Sequence, residues 1–113
     1  MTIKVTVGTV GIMVLRPNPY RTGYRITMPT TSLYPANTGR VHIGEGYIPT
    51  PDPNAPDCGD IITQGISIEV SEAYPNDPSV FKGEIYAIAN TADQVILVDE
   101  YTRYVPEGES KHA

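Results

Sequence analysis

The chain has 113 residues, a net charge of −5, one cysteine, no tryptophan, eleven prolines and ten glycines, which is room for one domain. Its acidic balance, with Lys and Arg scattered singly, lacks the basic face that displaces counterions from phosphates, so no nucleic-acid partner is expected. A lone Cys58 excludes an internal disulfide and a multi-cysteine zinc site, and no apolar run approaches the roughly 20 residues that cross a bilayer, so no membrane partner is expected.

Ile3, Val5 and Val7 alternate with Lys4 and Thr6, the pattern of a strand with one buried face. After Gly8, the run Val10 to Leu15 is apolar and is closed by Arg16-Pro17-Asn18-Pro19, which cannot continue a central strand. Tyr24, Ile26 and Met28 alternate with Arg25 and Thr27, and Pro29 stops that strand. Thr30 to Thr38 is polar. Val41 and Ile43 form the apolar side of a short strand, with Arg40 and His42 opposite and Gly44-Glu45-Gly46 at its end. Pro49 to Gly59 reads as an exposed loop. Ile61 and Ile62 return to the core, and Ile66, Ile68 and Val70 alternate with Ser67, Glu69 and Ser71. Tyr74 to Pro78 is a second turn-rich loop.

Val80 to Val105 organises the rest. Ile85, Ala87 and Ala89 fall on one side of a strand, with Glu84, Tyr86 and Ile88 on the other. Asn90-Thr91-Ala92-Asp93 is a four-residue link of the length that suits a hairpin on a type I turn. Val95 to Val98 is apolar on both sides, as in a strand covered on both faces. The whole is an all-β pattern of seven or eight short antiparallel strands with turns every 8 to 12 residues or so, which predicts a small β-sandwich or jelly-roll-like domain over 1–105 and a flexible C-terminal tail over 106–113. At the start of the chain no basic region, apolar stretch and cleavage site follow one another, which suits synthesis in a cytoplasm.

No set of residues carries a recognisable catalytic pattern. Asp52, Asp57 and Asp60 with Asn54 supply the oxygens that hard cations take, but the spacing is not that of an EF-hand loop and prolines lie among them, so they read as solvated turn residues. Gly44-Glu45-Gly46 has no helix behind it to make a phosphate site and reads as a bulge or tight turn. His42 has neither a nucleophile nor metal-ligand partners at usable spacing and reads as a surface histidine. Glu69, Glu72, Glu84 and Glu100 show no defined acid–base pair. Catalytic, metal and cofactor sites are therefore all expected to be absent. The tyrosines at 20, 24, 34, 47, 74, 101 and 104 lie outside the most apolar runs and read equally as packing at the sheet rims or as interface anchors.

From Leu15-Arg16-Pro17-Asn18-Pro19-Tyr20-Arg21 onward the chain resembles small β-rich structural proteins of tailed bacteriophages. The likeness runs through Tyr24 to Met28, Gly39-Arg40-Val41-His42-Ile43-Gly44-Glu45-Gly46, Gly59-Asp60-Ile61-Ile62, Gly65-Ile66-Ser67-Ile68-Glu69-Val70, Phe81 to Ala89 and Ile96 to Tyr101, roughly residues 12 to 103. It implies a capsid decoration or cement protein, or a head fibre, on the outside of an icosahedral head. Such a protein is a virion structural component without catalysis. Its partners would be the major capsid protein and itself, as a homo-oligomer, often a trimer at local threefold positions. A protein that binds the assembled lattice and not the free subunits stabilises the lattice by mass action, and many identical contacts add by multivalency. The Pro49 to Gly59 loop is longer than this pattern. On this reading Ile3 and Val5 would add as a strand to a neighbour's sheet edge, and Tyr24, Arg25, Arg40 and Arg103 are the further contact candidates. The alternative from another class is a carbohydrate- or receptor-binding adsorption module, and the weakest is a cupin-type enzyme.

Overall fold

Period-two alternation dictates the elements. A computed structural model of the chain, describing residues 2–103, contains eight strands and no helix among the described residues. They are β1 (Thr2–Val7), β2 (Ile12–Leu15), β3 (Arg21–Thr27), β4 (Val41–Glu45), β5 (Asp60–Ile62), β6 (Ser67–Ser71), β7 (Ile85–Ala89) and β8 (Gln94–Thr102). Two four-stranded sheets form, in the orders β1-β8-β3-β6 and β2-β7-β4-β5, and every pairing is antiparallel. Strand β1 pairs with β8, β2 with β7, β3 with β6 and β4 with β5. Such nested pairing, one long hairpin rolled into two layers, is the jelly-roll arrangement. The tail expected over 106–113, with Tyr104 and Val105, lies outside the described residues.

The core lies between the sheets. Val7, Tyr24, Ile26, Met28, Ile96 and Val98 face it from the first sheet, and Val41, Ile43, Ile62, Ile85, Ala87 and Ala89 from the second. Each large apolar side chain buried here contributes roughly 1.5–3 kcal/mol of hydrophobic driving force. Alternation predicts these inner rows on β3, β4, β6 and β7. On β1 it holds only at one end: Val7 is fully buried, whereas Ile3 is 43% exposed.

The expected hairpin across Asn90–Asp93 does not form, because β7 and β8 belong to different sheets. A hairpin would put Ala87 and Ala89 in one layer with Ile96 and Val98. Instead the two rows face each other across the core. The link is an arch tied to the segment before β4: Asn90 N donates to the Arg40 carbonyl at 3.2 Å, and Asn90 Oδ1 accepts from Arg40 N at 2.8 Å. Asp93 takes a left-handed conformation, φ 62°. Buried Gln94 closes the arch, accepting from Gly39 N at 2.8 Å and donating to the carbonyls of Ala36 at 2.7 Å and Ala92 at 2.9 Å. The expected cover on both faces of β8 is also incomplete. Ile96 and Val98 are buried, while Val95 and Leu97, on the outer row, are half-buried.

One end of the sandwich is pinned by a buried arginine. Arg21 has no exposed surface and donates to four oxygens: Glu100 Oε2 at 2.9 Å, the Phe81 and Gly83 carbonyls at 2.8 and 2.9 Å, and the Arg16 carbonyl at 2.6 Å. A guanidinium's fixed fork satisfies several acceptors at once, which an ammonium cannot match. It binds the start of β3 to the segment before β7.

Candidate functional site

The outer face of the second sheet is the most unusual surface. On β4 the outward positions are His42 and Gly44, paired with Ile88 and Tyr86 of β7, and on β2 Met13 pairs with Tyr86. The segment after β4 folds back over this face. A Cβ on Gly44 would lie 2.3 Å from the Tyr47 carbonyl oxygen and 2.9 Å from Pro49 Cδ, so only glycine admits the loop there. Pro49 is buried as a result.

His42, expected at the surface, is fully buried beneath this loop. Arg40 Nε donates to His42 Nε2 at 3.0 Å, and the other ring nitrogen, Nδ1, lies 2.8 Å from the Cys58 carbonyl. An imidazole whose Nε2 accepts must carry its proton on Nδ1, which then donates to Cys58. Both nitrogens are used, so this neutral ring holds a loop and has none left for a substrate. Arg40 Nη2 also donates to the Pro51 carbonyl at 3.1 Å. The stretch read as an exposed loop is therefore packed at its base, with Asp52, Pro53, Asn54, Pro56 and Asp57 at an exposed tip. Thr50 Oγ1 donates to Asp57 at 2.8 Å, and Asn54 N to Asp52 Oδ1 at 3.0 Å. Among the described residues no three His, Cys, Asp or Glu side chains converge as a metal site requires.

Beyond the loop, apolar side chains stay in water. Val10, Met13, Tyr47 and Ile48 are 75%, 47%, 42% and 52% exposed. The Ile48 side chain lies against Gly11, two residues before Met13, within 2.3–3.2 Å of where a Cβ would be, and the Tyr47 backbone carbonyl covers Gly44 in the strand row that runs through Tyr86 to Met13. Sequence reasoning did not single these out as a surface. The signal was the Val10 to Leu15 run, apolar at positions of both parities although the strand carries a bulge between Met13 and Leu15 and pairs on one side only.

The expected contact residues are dispersed. Ile3 and Val5 share the β1 edge. Tyr24 is the correction among them: it is fully buried on the inner row of β3 and donates its hydroxyl to Glu45 Oε2 at 2.8 Å, so it presents no surface to a partner. Burial first, then that hydrogen bond, pushes its phenol well above the ordinary range. Arg25 is exposed, but it sits in a polar row across the first sheet formed by Thr2, Asp99, Arg25 and Glu69. Its Nη2 meets Asp99 Oδ2 at 3.1 Å, Thr2 Oγ1 donates to the same carboxylate, and Tyr101 donates to Glu69 at 3.1 Å. The hydrogen bond to Asp99 is also the main cause that raises the Arg25 guanidinium further. Arg40 is the loop clamp described above.

Arg103 lines a groove of about 500 Å³ at the end of the sandwich, with Pro19, Asn76, Pro78, Phe81 and Lys82. It donates to Asn76 Oδ1 and stands 3.8 Å from Glu72 Oε2. The turn beside the groove is stiffened by Asp77, whose carboxylate accepts from Ala73 N at 3.0 Å and Ser79 N at 2.9 Å. Those backbone donors, Ala73 first, hold its carboxyl below the usual range.

Comparison with known proteins gave no match to any family model, any curated protein or any solved structure.

Proposed function

We propose that this chain is a virion structural protein, a decoration or cement protein that binds the exterior of an icosahedral phage head, as a homo-oligomer, and stabilises it by bridging capsid subunits. The observation that carries the reading is the exposed apolar side chains of Met13, Tyr47 and Ile48 at a sheet face stiffened by the Arg40–His42–Cys58 clamp. Apolar side chains grouped on a rigid outer face, with aromatic and Met members, are the composition of a protein contact. The phage-like pattern of turns and strands from residue 12 to 103 supplies the kind of partner. Each contact can be weak, because repetition over a lattice adds them and binding to the assembled form alone favours assembly.

Co-sedimentation tests this reading, using the purified chain and gradient-purified heads from the strain that encodes it. Saturable binding that raises the temperature at which heads release their genome is the expected result. Absence from intact heads at saturating protein overturns it. Substituting Met13→Glu and Ile48→Glu together should abolish shell binding while leaving the fold's melting curve in place.

The groove beside Lys82 and Arg103 favours a second reading, an adsorption module for carbohydrate or another receptor. Binding on an array of acidic glycans, lost in Arg103→Ala or Lys82→Ala, would support that reading over the first.

A further inference from the structure

The four sheet edges differ in how they are protected against pairing with another chain. Strand β5 is only three residues long, Asp60–Ile62. Strand β2 is interrupted by a bulge between Met13 and Leu15. Strand β6 carries Glu69 at its centre, so a second β6 could avoid facing that carboxylate with its own only by giving up two of the five residue pairs. Short strands, bulges and edge charges are the devices that blunt edges.

Strand β1 is neither short nor bulged, and the only edge charge it carries is a lysine. It is six residues of regular register on β8, Thr2↔Asp99 through Val7↔Gln94, and among the described residues it pairs on one side only. It has no proline and no carboxylate, in a chain of net charge −5. Its one charge, Lys4, is turned over the ring of Tyr34 at 5.8 Å from the centroid. Its inner row is under-covered: Val7 is buried, Val5 half-buried and Ile3 43% exposed.

We infer that the free edge of β1 pairs with β1 of a second copy, antiparallel about a two-fold axis through Val5, joining two first sheets into one continuous sheet. A two-fold perpendicular to the sheet keeps inner rows with inner rows, so residues of like parity face each other. With Val5 on the axis, Ile3 meets Val7 of the partner and Lys4 meets Thr6, so no like charges oppose. Centring on Lys4 would set two ammonium groups face to face. An isologous closed dimer is also the commonest oligomer symmetry. This does not rest on the capsid reading, and it gives a dimer where the phage resemblance implies a trimer.

Light scattering on the full chain, from micromolar to millimolar concentration, reads the mass directly. A dimer of twice 12.3 kDa is expected. A trimer overturns the pairing and leaves the proposed capsid role whole; a monomer throughout that range overturns the pairing together with the homo-oligomer part of that role, and leaves shell binding to co-sedimentation. Val5→Lys places two charges on the axis and should raise the dimer dissociation constant at least tenfold. Its circular-dichroism melt shows whether the monomer stays folded, and an unchanged dimer overturns the inference.

Cross-linking fixes the register even if that variant unfolds. In a Cys58→Ser background, Val5→Cys should form a covalent dimer under mild oxidation. Residues facing each other across antiparallel strands have Cα atoms about 4.5–5.5 Å apart, within disulfide reach. Ile3→Cys alone should not link, because its counterpart lies about four residues away, roughly 13 Å at strand rise. Ile3→Cys with Val7→Cys should link again. Linking of Ile3→Cys as readily as Val5→Cys, or no linking of Val5→Cys, overturns the two-fold.

Discussion

The carboxamide of Asn37 grips the backbone of Val95 with both of its ends: Oδ1 accepts from Val95 N at 2.6 Å and Nδ2 donates to the Val95 carbonyl at 3.0 Å. Strand β3 pairs with β8 only as far as Thr27↔Leu97, and Pro29 follows, so Asn37 supplies the side of a ladder that the strand cannot. Its Nδ2 also donates to the Pro29 carbonyl at 2.8 Å, and the residue is fully buried.

Asn37→Ala leaves these backbone groups without partners in the interior. At about 1–3 kcal/mol for each unsatisfied buried group, partly relieved by relaxation, the expected loss is ~3 kcal/mol. Urea unfolding followed by circular dichroism measures it. Asn37→Asp should be no better, since a carboxylate keeps the acceptor for Val95 N, loses both donations and adds a buried charge.

The alkaline limb of stability should belong to Tyr24. Its phenol is raised above the ordinary value of 10.0 by burial and by the hydrogen bond to Glu45. Above pH 10 the unfolded chain releases this proton and the folded chain keeps it, so the unfolded state binds fewer protons and stability falls as pH rises. The contribution is complete below about pH 10 and is lost on going upward toward the folded value. Tyr24→Phe, measured by urea unfolding at pH 8 and pH 11, should lose part of the difference between the two. An identical difference in the variant would show that other groups carry that limb.

On the acid side the sign reverses. Asp77 is held below the usual carboxylate range by the Ala73 and Ser79 amides, and Asp99 first by the Thr2 hydroxyl and then by Arg25. A depressed folded value contributes stability that is present above the unfolded carboxylate range and is lost as pH falls through the folded value. Asp77→Asn should therefore be less stable than the parent at pH 7, with the gap closing as pH drops below about 4. A gap that stays constant down to pH 2 would mean that the loss is packing and not charge.

Arg40→Ala should free the loop without unfolding the sandwich. It removes the donors to His42 Nε2 and to the Pro51 carbonyl, while the core rows of β4 and β7 are untouched. Hydrogen exchange in residues 49–59 should speed at least tenfold, with protection in β3 and β8 unchanged. Arg40→Lys should restore little, because a single ammonium cannot span both acceptors.

Much of the fold was legible. Alternation places the inner rows of β3, β4, β6 and β7, and the proline and glycine clusters mark where strands stop. The partner of each strand was not legible, because a four-residue link can close a hairpin or arch between layers with equal ease. Arching is chosen by contacts far along the chain, at Arg40, Ala36 and Gly39. The site was harder still. Period alone set His42 outward, which is correct, yet outward became buried once a proline-rich segment folded over it, and Gly44, read as the end of the strand, lies within β4. Tyr24 failed for a related reason: a tyrosine with a carboxylate at the core's margin can bury its ring and keep its hydroxyl satisfied.

Strand β8 comes last of the eight described strands, and it lies between β1 and β3 in the first sheet. On a ribosome, β1 and β3 would emerge early and wait without the strand that joins them. Nested pairing of β1 with β8 makes the first sheet wait for β8, so its folding is governed by closing the longest loop and not by growth from the N-terminus. Until then an open edge and an uncovered apolar row are on offer to any neighbour, so a stall before Gln94 should expose the nascent chain to chaperones or to aggregation.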